Sequence, residues 1–318
     1  MISAEIAAKN RSAVPAIISN LGDEASWRFL EFFTARIQNK NTRLAYLYAV
    51  RRFTSWCEIS HLNLISVRAF HVAAYIEELE LSAPSIKQHL AAIRMLFDYL
   101  LTGNIIESNP ASGVRGPKYV IKKGKTPVLS GEEARTLLSI IDDSRVIGAR
   151  DKALIGLMIY SFARISAVLK MRVKDYFLRG KKHWIRLHEK GGRYHEIPVH
   201  HRALEFLDHY LDLSGLREDK DGFLFRAGNG GRSQQLKLSP LSRFNAIQMV
   251  KRHAKNAGIS QETCCHSFRA TGITAFLSHG GSIEHAQNIA AHESPRTTKL
   301  YDRRSEEIDQ GEIERIIL

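Results

Sequence analysis

The sequence has no long apolar run. Charge interrupts every hydrophobic stretch well before the ~18–20 residues a membrane-spanning helix requires, so a membrane partner is not expected. The N-terminal residues show no basic segment leading into an apolar one, and no export signal is read there. Cysteine is scarce. Cys57, Cys264 and Cys265 are the three in the chain, and two of them are neighbours, which excludes a disulfide framework and favours a reducing, cytoplasmic setting. Adjacent cysteines also have the wrong spacing for a structural zinc site, even with His266 following them. No phosphate-binding glycine loop and no acidic metal cluster stands out, so no cofactor is expected.

What the chain has in excess is positive charge. Against 33 Asp and Glu stand 46 Lys and Arg, a formal net charge of +13 over 318 residues. A surplus of this size points to a polyanionic partner, most often nucleic acid. At 44% hydrophobic and 25% charged, the composition is that of a folded protein, and the length suggests two domains.

Apolar residues recur at helical spacing from Glu24 onward: Trp27, Phe29, Leu30, Phe33 and Ile37, then Leu44, Tyr48, Val50, Phe53 and Trp56. A third helix is expected over 67–79. A fourth opens at Ser82-Ala-Pro, where proline suits a first turn, and stops near Gly103. Residues 1–23 read as a flexible arm and 24–108 as an all-helical domain. Between Asn109 and Val128 lie three prolines, three glycines, five basic residues and no acid, a pattern expected of an exposed cationic linker. Such a linker suits either a solvated hinge or a strap along a phosphate backbone.

The second domain, 129–318, opens with Ser130 as a candidate N-cap. A long apolar helix is expected around Ala149–Tyr160. The one clear β signal is a hairpin, Lys182–Leu187 and Tyr194–Val199, around Glu189-Lys-Gly-Gly-Arg. Helical patterns return at 202–213, 239–257 and 267–277. The fold class is thus mainly α with a small antiparallel β element, α+β.

Several residues in this domain carry chemistry. Arg164 ends an apolar run, where a charge needs a partner or a cleft. Lys190 sits at the hairpin tip beside two glycines. His266 and Arg269 are three apart, hence on one helical face, and His292 precedes Tyr301 with Thr297 and Thr298 between them. Singly, each residue also fits a bland role: salt bridge, solvated turn, or packed tyrosine. Their order is more specific. Arg164, Lys190, His266-x-x-Arg269, His292 and Tyr301 resemble, position by position, the active-site signature of the tyrosine recombinases, the phage-integrase and Xer-like site-specific recombinases. Pro198 eight residues after Lys190, the spacing from Arg269 to His292, and the Thr-Thr pair before Tyr301 fit as well. Asn41-Thr-Arg-x-x-Tyr in the helical domain looks like the opening of that family's core-binding domain.

Four departures stand beside the match. Phe162-Ala163 precede Arg164 where the family favours a small residue and leucine, Ala290-Ala291 replace Leu-Gly before His292, and Ala270 follows Arg269 where histidine is common. Ala167, moreover, occupies the place of the family's usual acid.

The resemblance implies an all-helical core-binding domain, an integrase-like catalytic domain and a metal-free enzyme. In it Tyr301 would attack the scissile phosphate to give a 3′-phosphotyrosyl link. His266 would act as base, Arg164 and Arg269 would grip the phosphoryl oxygens, Lys190 would be the general acid, and His292 would hydrogen-bond the phosphate. It further implies a double-stranded DNA recombination site as substrate, a homotetramer exchanging strands through a Holliday junction, accessory proteins, and a cytoplasmic, nucleoid-associated location. A type IB topoisomerase-like enzyme and a catalytically silent DNA-binding protein of the same fold are the alternatives. The acidic tail 305–318, with Ile308, Ile313, Ile316 and Ile317, suits a docking helix, on its own domain or on a neighbour. Candidate DNA contacts are Arg43, Lys87, Lys122, Lys123 and Lys125.

Overall fold

The computed structural model describes residues 14–119, 124, 126–188, 194–230 and 233–302. The chain divides into two compact units, Met1–Val120 and Ile121–Leu318.

The described part of the first unit is helical. Helices α1 (Ala16–Ser19), α2 (Asp23–Glu31), α3 (Lys40–Ile59), α4 (Ala69–Glu77) and α5 (Ala83–Thr102) surround one core. Local chemistry sets their ends. The Asn39 side chain accepts from the backbone N–H groups of Asn41 and Thr42 and so starts α3. Pro84 sits in the first turn of α5, where its missing N–H is no loss, and Gly103 follows the last turn. In this core Phe53 meets Tyr75 and Phe97, and Phe29 and Phe32 meet Phe33, all of them buried. Leu44 and Tyr48, read as part of the apolar stripe, instead face solvent, because burial along α3 begins only at Ala49.

Two segments are more ordered than their composition suggests. Within the expected arm, Ile17 and Ile18 are buried, and the Ile17 N–H donates to Glu58 Oε1 at 3.0 Å. Within the expected linker, Ala111 and Val114 are buried too. Arg94 donates to both of their carbonyls, and Asn109 donates to the Arg94 carbonyl and to Asp98. A guanidinium satisfying two backbone carbonyls lets this glycine-containing stretch pack without forming regular structure.

In the second unit, Ser130 and Glu133 form a reciprocal capping box at the start of α6 (Gly131–Ser139). Next comes α7 (Val146–Ser161), buried nearly all round from Ala149 to Ile159. Even its charges are internal. Asp151, 1% exposed, accepts from Arg150 at 2.6 Å, His253 at 3.0 Å and Arg252 at 3.1 Å, as a buried carboxylate must be paired. After the short α8 (Ile165–Val168), strands β1 (Tyr176–Arg179), β2 (Lys182–His188) and β3 (Tyr194–Pro198) form an antiparallel sheet in that order. The hairpin expected from the sequence is therefore two strands of three, and its turn lies outside the described residues. Helix α9 (His201–Ser214) ends at Gly215, whose φ of +68° reverses the chain. A second, two-stranded sheet, β4 (Arg226–Gly228) with β5 (Leu236–Pro240), was not legible in the sequence. Helices α10 (Arg243–Asn256), α11 (Cys265–Ser278), α12 (Ile283–Ala290) and α13 (Pro295–Lys299) complete the described chain. No helix among the described residues is long and apolar enough to cross a membrane.

Candidate active site

The site is assembled from the ends of α7, α11, α12 and α13. Helix α7 stops at Ser161 because Phe162 adopts left-handed backbone angles, φ +55°. Arg164 is therefore not the interior charge that the apolar run implied. It stands at the N-cap of α8, half-buried. The reversal also frees the Phe162 carbonyl, which accepts from Arg269.

Helix α11 carries His266 in its first turn and Arg269 one turn on. Arg269 is 1% exposed. One guanidinium nitrogen donates to Phe162 O and the other to Ala290 O at 2.7 Å, so this side chain ties the end of α7 to the end of α12. Gly272 permits the arrangement, since a Cβ there would lie 2.0 Å from the Ile159 carbonyl oxygen. Only a residue without a side chain lets α11 cross α7 this closely.

Helix α12 ends at Ala291, also left-handed at φ +48°, which turns His292 inward. His292 is 7% exposed, and its Nδ1 lies 2.9 Å from Thr298 Oγ1. Its ring is parallel to that of Tyr301, 7° between planes and 5.9 Å between centroids. Tyr301 is likewise buried. Its backbone is held at both ends, the N–H donating to Thr298 O at 2.9 Å and the carbonyl accepting from Thr274 Oγ1 at 2.9 Å. The phenol oxygen lies 2.8 Å from His266 Nε2.

The electrostatics follow from this crowding. Burial pushes the Tyr301 phenol above its ordinary value, while a hydrogen bond and the charge from Arg269, with Arg164 behind it, act in the opposite sense. Burial, then the charges of Arg269 and Arg164, hold His266 below its usual value. The same causes, with His266 added, push His292 down to about 3. Both imidazoles are therefore neutral at neutral pH. A neutral His266 in hydrogen-bond contact with the phenol has the geometry of a general base. Arg164 and His266 share a cleft of about 230 Å³ with Arg243, Cys264 and Cys265. Burial raises the Cys265 thiol to about 11, which disfavours the thiolate a metal would need. Among the described residues, no group of three or more His, Cys, Asp or Glu is placed to hold a metal ion.

Five sequence-selected residues thus converge: Arg164, His266, Arg269, His292 and Tyr301. Lys190 lies outside the described residues, as do Lys122, Lys123, Lys125 and the tail 305–318. Lys87 is exposed on α5. Arg43 is turned to internal use, its guanidinium donating to Ile37 O at 3.1 and 2.8 Å. Sequence reasoning missed Arg243, Thr274 and Thr298 as site residues. Thr298 had a signal in the Thr-Thr pair; Arg243 and Thr274 had none apart from helical phase.

Comparison with known proteins identifies the family. The profile described as "Phage integrase family" matches residues 127–307, and "Phage integrase, N-terminal SAM-like domain" matches residues 27–107. The chain is 28% identical over 291 residues to tyrosine recombinase XerD of Chlorobaculum tepidum, covering 87% of this chain and 92% of the relative. It is 26% identical over 252 residues to tyrosine recombinase XerC of Shigella flexneri, covering 78% and 77%. Among solved structures, XerH recombinase bound to palindromic difH substrate in a post-cleavage complex superposes with a TM-score of 0.68 at 20% identity, over 81% of this chain and 75% of that one. A lambda integrase dimer bound to a COC′ core site gives 0.67 at 19%, over 89% and 96%.

Proposed function

Because the chain belongs to the phage integrase family, whose profile spans more than half of it, we propose that it is a tyrosine-type site-specific recombinase that cuts and rejoins double-stranded DNA. The observation that carries this reading is the 2.8 Å contact between the Tyr301 phenol and His266 Nε2 beside Arg164 and Arg269.

In the cleavage step, the Tyr301 oxygen attacks the scissile phosphorus and its proton passes to His266. The bond from phosphorus to the 5′-oxygen breaks, and that oxygen takes a proton from Lys190, leaving a 3′-phosphotyrosyl link and a free 5′-hydroxyl. Rejoining is the reverse, so the bond energy is kept in the link and no nucleotide cofactor is needed. The raised pKa of Tyr301 makes the base necessary, since phenolate is scarce at neutral pH. Arg164, half-buried at the cleft, is the cation best placed to grip a phosphoryl oxygen. Arg269 is anchored to two carbonyls and contributes its charge from beneath, steadying the phenolate as it forms. His292 hydrogen-bonds the phosphate after its ring is set by Thr298.

The relatives' bound DNA sites and the surplus of +13 support a duplex recombination site as substrate. Lys87 and the basic residues Lys122, Lys123 and Lys125 serve as backbone contacts, and Arg43 supports the start of α3 instead. The domain plan is a helical core-binding unit, a basic connection and a catalytic unit. Family membership extends the proposal to a homotetramer on paired sites, aided by accessory proteins, in the nucleoid-associated cytoplasm.

The test is a nicked duplex carrying a recombination site taken from the gene's flanking DNA. The wild type is expected to form a covalent protein–DNA adduct and Tyr301→Phe none, with DNA affinity unchanged within about twofold because the phenol hydroxyl is a reacting group and not a binding one. An adduct that persists in Tyr301→Phe, or no adduct in the wild type, overturns the proposal.

A further inference from the structure

Tyr301 is attached to a single helix at both of its ends. Its phenol oxygen lies 2.8 Å from His266 Nε2, and its main-chain carbonyl accepts from Thr274 Oγ1 at 2.9 Å. Both partners belong to α11, eight residues and so about 12 Å apart along the axis. Residues four apart share a helical face, which puts His266, Ala270 and Thr274 in one stripe. Tyr301 clusters with Ala270 and Ile273 of that helix, between the two attachments. The tyrosine therefore lies along α11, with its phenol toward the N-terminal turn and its backbone two turns farther on.

The segment that carries Tyr301 is short. Helix α13 has five residues, and the Tyr301 N–H bonds back to Thr298 O at 2.9 Å, which orders this turn without referring it to α11. The Thr274 bond supplies that reference. A helical threonine commonly turns its hydroxyl back to a carbonyl of its own preceding turn, as Thr34 does to Leu30 O at 2.9 Å and Thr102 to Asp98 O at 2.8 Å. Thr274 donates across to Tyr301 instead. Once the main chain is fixed, two side-chain torsions separate it from the phenol oxygen, and burial of the ring at 7% exposure restricts both.

We propose that Thr274 is a positioning residue for the nucleophile: its hydroxyl holds the Tyr301 main chain at the point along α11 from which the phenol reaches His266. The proposal rests on the reading of the chain as a recombinase and deepens it. Without the hydroxyl, Tyr301 shifts along the helix and its phenol leaves the base, while the candidate DNA contacts are untouched.

Thr274→Val keeps the shape of the side chain and removes the hydroxyl, whereas Thr274→Ser keeps the hydroxyl. A reacting group misplaced by about 1 Å costs up to about 100-fold in rate. Thr274→Val is therefore expected to slow single-turnover adduct formation by about 10- to 100-fold, with DNA affinity within about twofold of wild type, and Thr274→Ser to recover most of the rate. Thr274→Ala, which removes the hydroxyl without filling its place, should behave as Thr274→Val does. A second readout needs no DNA. Burial holds the Tyr301 phenol above its ordinary value, and NMR of isotope-labelled tyrosine, with Tyr301→Phe to assign the signal, follows its titration. In Thr274→Val that titration should move down towards the ordinary value of ~10 as the ring loosens into solvent. Wild-type rates in both hydroxyl-free variants, a Thr274→Ser as slow as they are, affinity that falls as far as the rate, or a phenol titration unchanged by loss of the hydroxyl overturns the proposal. Wild-type protein that forms no adduct fails the recombinase reading instead, and the phenol titration still decides whether Thr274 places Tyr301.

Discussion

Gly272 offers a sharp test of how the site is assembled, because two opposing effects predict opposite signs for Gly272→Ala. Glycine inside a helix is about 1 kcal/mol less favourable than alanine, so on propensity alone the substitution stabilises. Packing says otherwise. The new Cβ would lie 2.0 Å from the Ile159 carbonyl oxygen and 2.7 Å from the Phe162 ring. The oxygen belongs to a helix backbone and cannot swing aside, so α11 and α7 must separate by about 1 Å. Overpacking of this kind costs about 1–3 kcal/mol, and a backbone obstruction belongs at the upper end. The net loss is then about 2 kcal/mol, which for a unit of this size lowers the melting temperature by about 4–8 °C. Separation of the helices also lengthens the bond from Arg269 to the Phe162 carbonyl, so cleavage should fall more than stability does. Calorimetry with a covalent-adduct assay at 25 °C measures both. A melting temperature that rises by a few degrees, with adduct formation unchanged, would show that the close crossing is not what holds the site together.

Two further outcomes follow from the residues around Tyr301. Ala291 occupies a left-handed conformation that costs an alanine about 1–2 kcal/mol relative to glycine, so Ala291→Gly should raise stability by about 0.5–1 kcal/mol after the added freedom of the unfolded chain is subtracted, read as a higher urea midpoint at constant slope; a lower midpoint refutes the strain argument. His292 is held neutral in the folded chain down to about pH 3 against an ordinary value of 6.5. Above pH 6.5 it is neutral in both states, and below that the unfolded chain gains a proton the native state refuses. Stability should fall with acidification, by up to about 2 kcal/mol between pH 6.5 and 5, and His292→Gln should flatten that part of the profile when urea midpoints are compared.

Much of this was legible in the chain because helix ends are written in short-range chemistry. Ser130, and Pro84 before a run ending at Gly103, each act within one turn, and each boundary fell near its signal. The five residues that converge at the candidate site stand out in the sequence through order and spacing, not through any property of a single side chain. What stayed hidden depends on distant partners. Nothing local to Arg269 says that its guanidinium will be spent on the carbonyls of Phe162 and Ala290, because both become available only when two helices end in left-handed residues that are not glycine. Asp151 sits within the apolar helix near 149–160, and its partners Arg252 and His253 lie a hundred residues away. The β4–β5 pair escaped notice for a related reason. Its strands are short and pair with a register shift, so alternation never accumulates.

Tyr301 does not belong to the main core of its unit. It packs in a small separate cluster with Phe162, Ala270, Ile273, Leu277, Ala286 and Ala290, contributed by the residue after α7 and by α11 and α12, while the larger core is built around α7. Most of the buried apolar residues of the second unit therefore lie in one body and Tyr301 in another. Local opening draws on the smaller body first, so the packing around Tyr301 is expected to loosen at a lower free energy than the larger core. In such a molecule, readiness to cut DNA and resistance to denaturation are separately adjustable quantities.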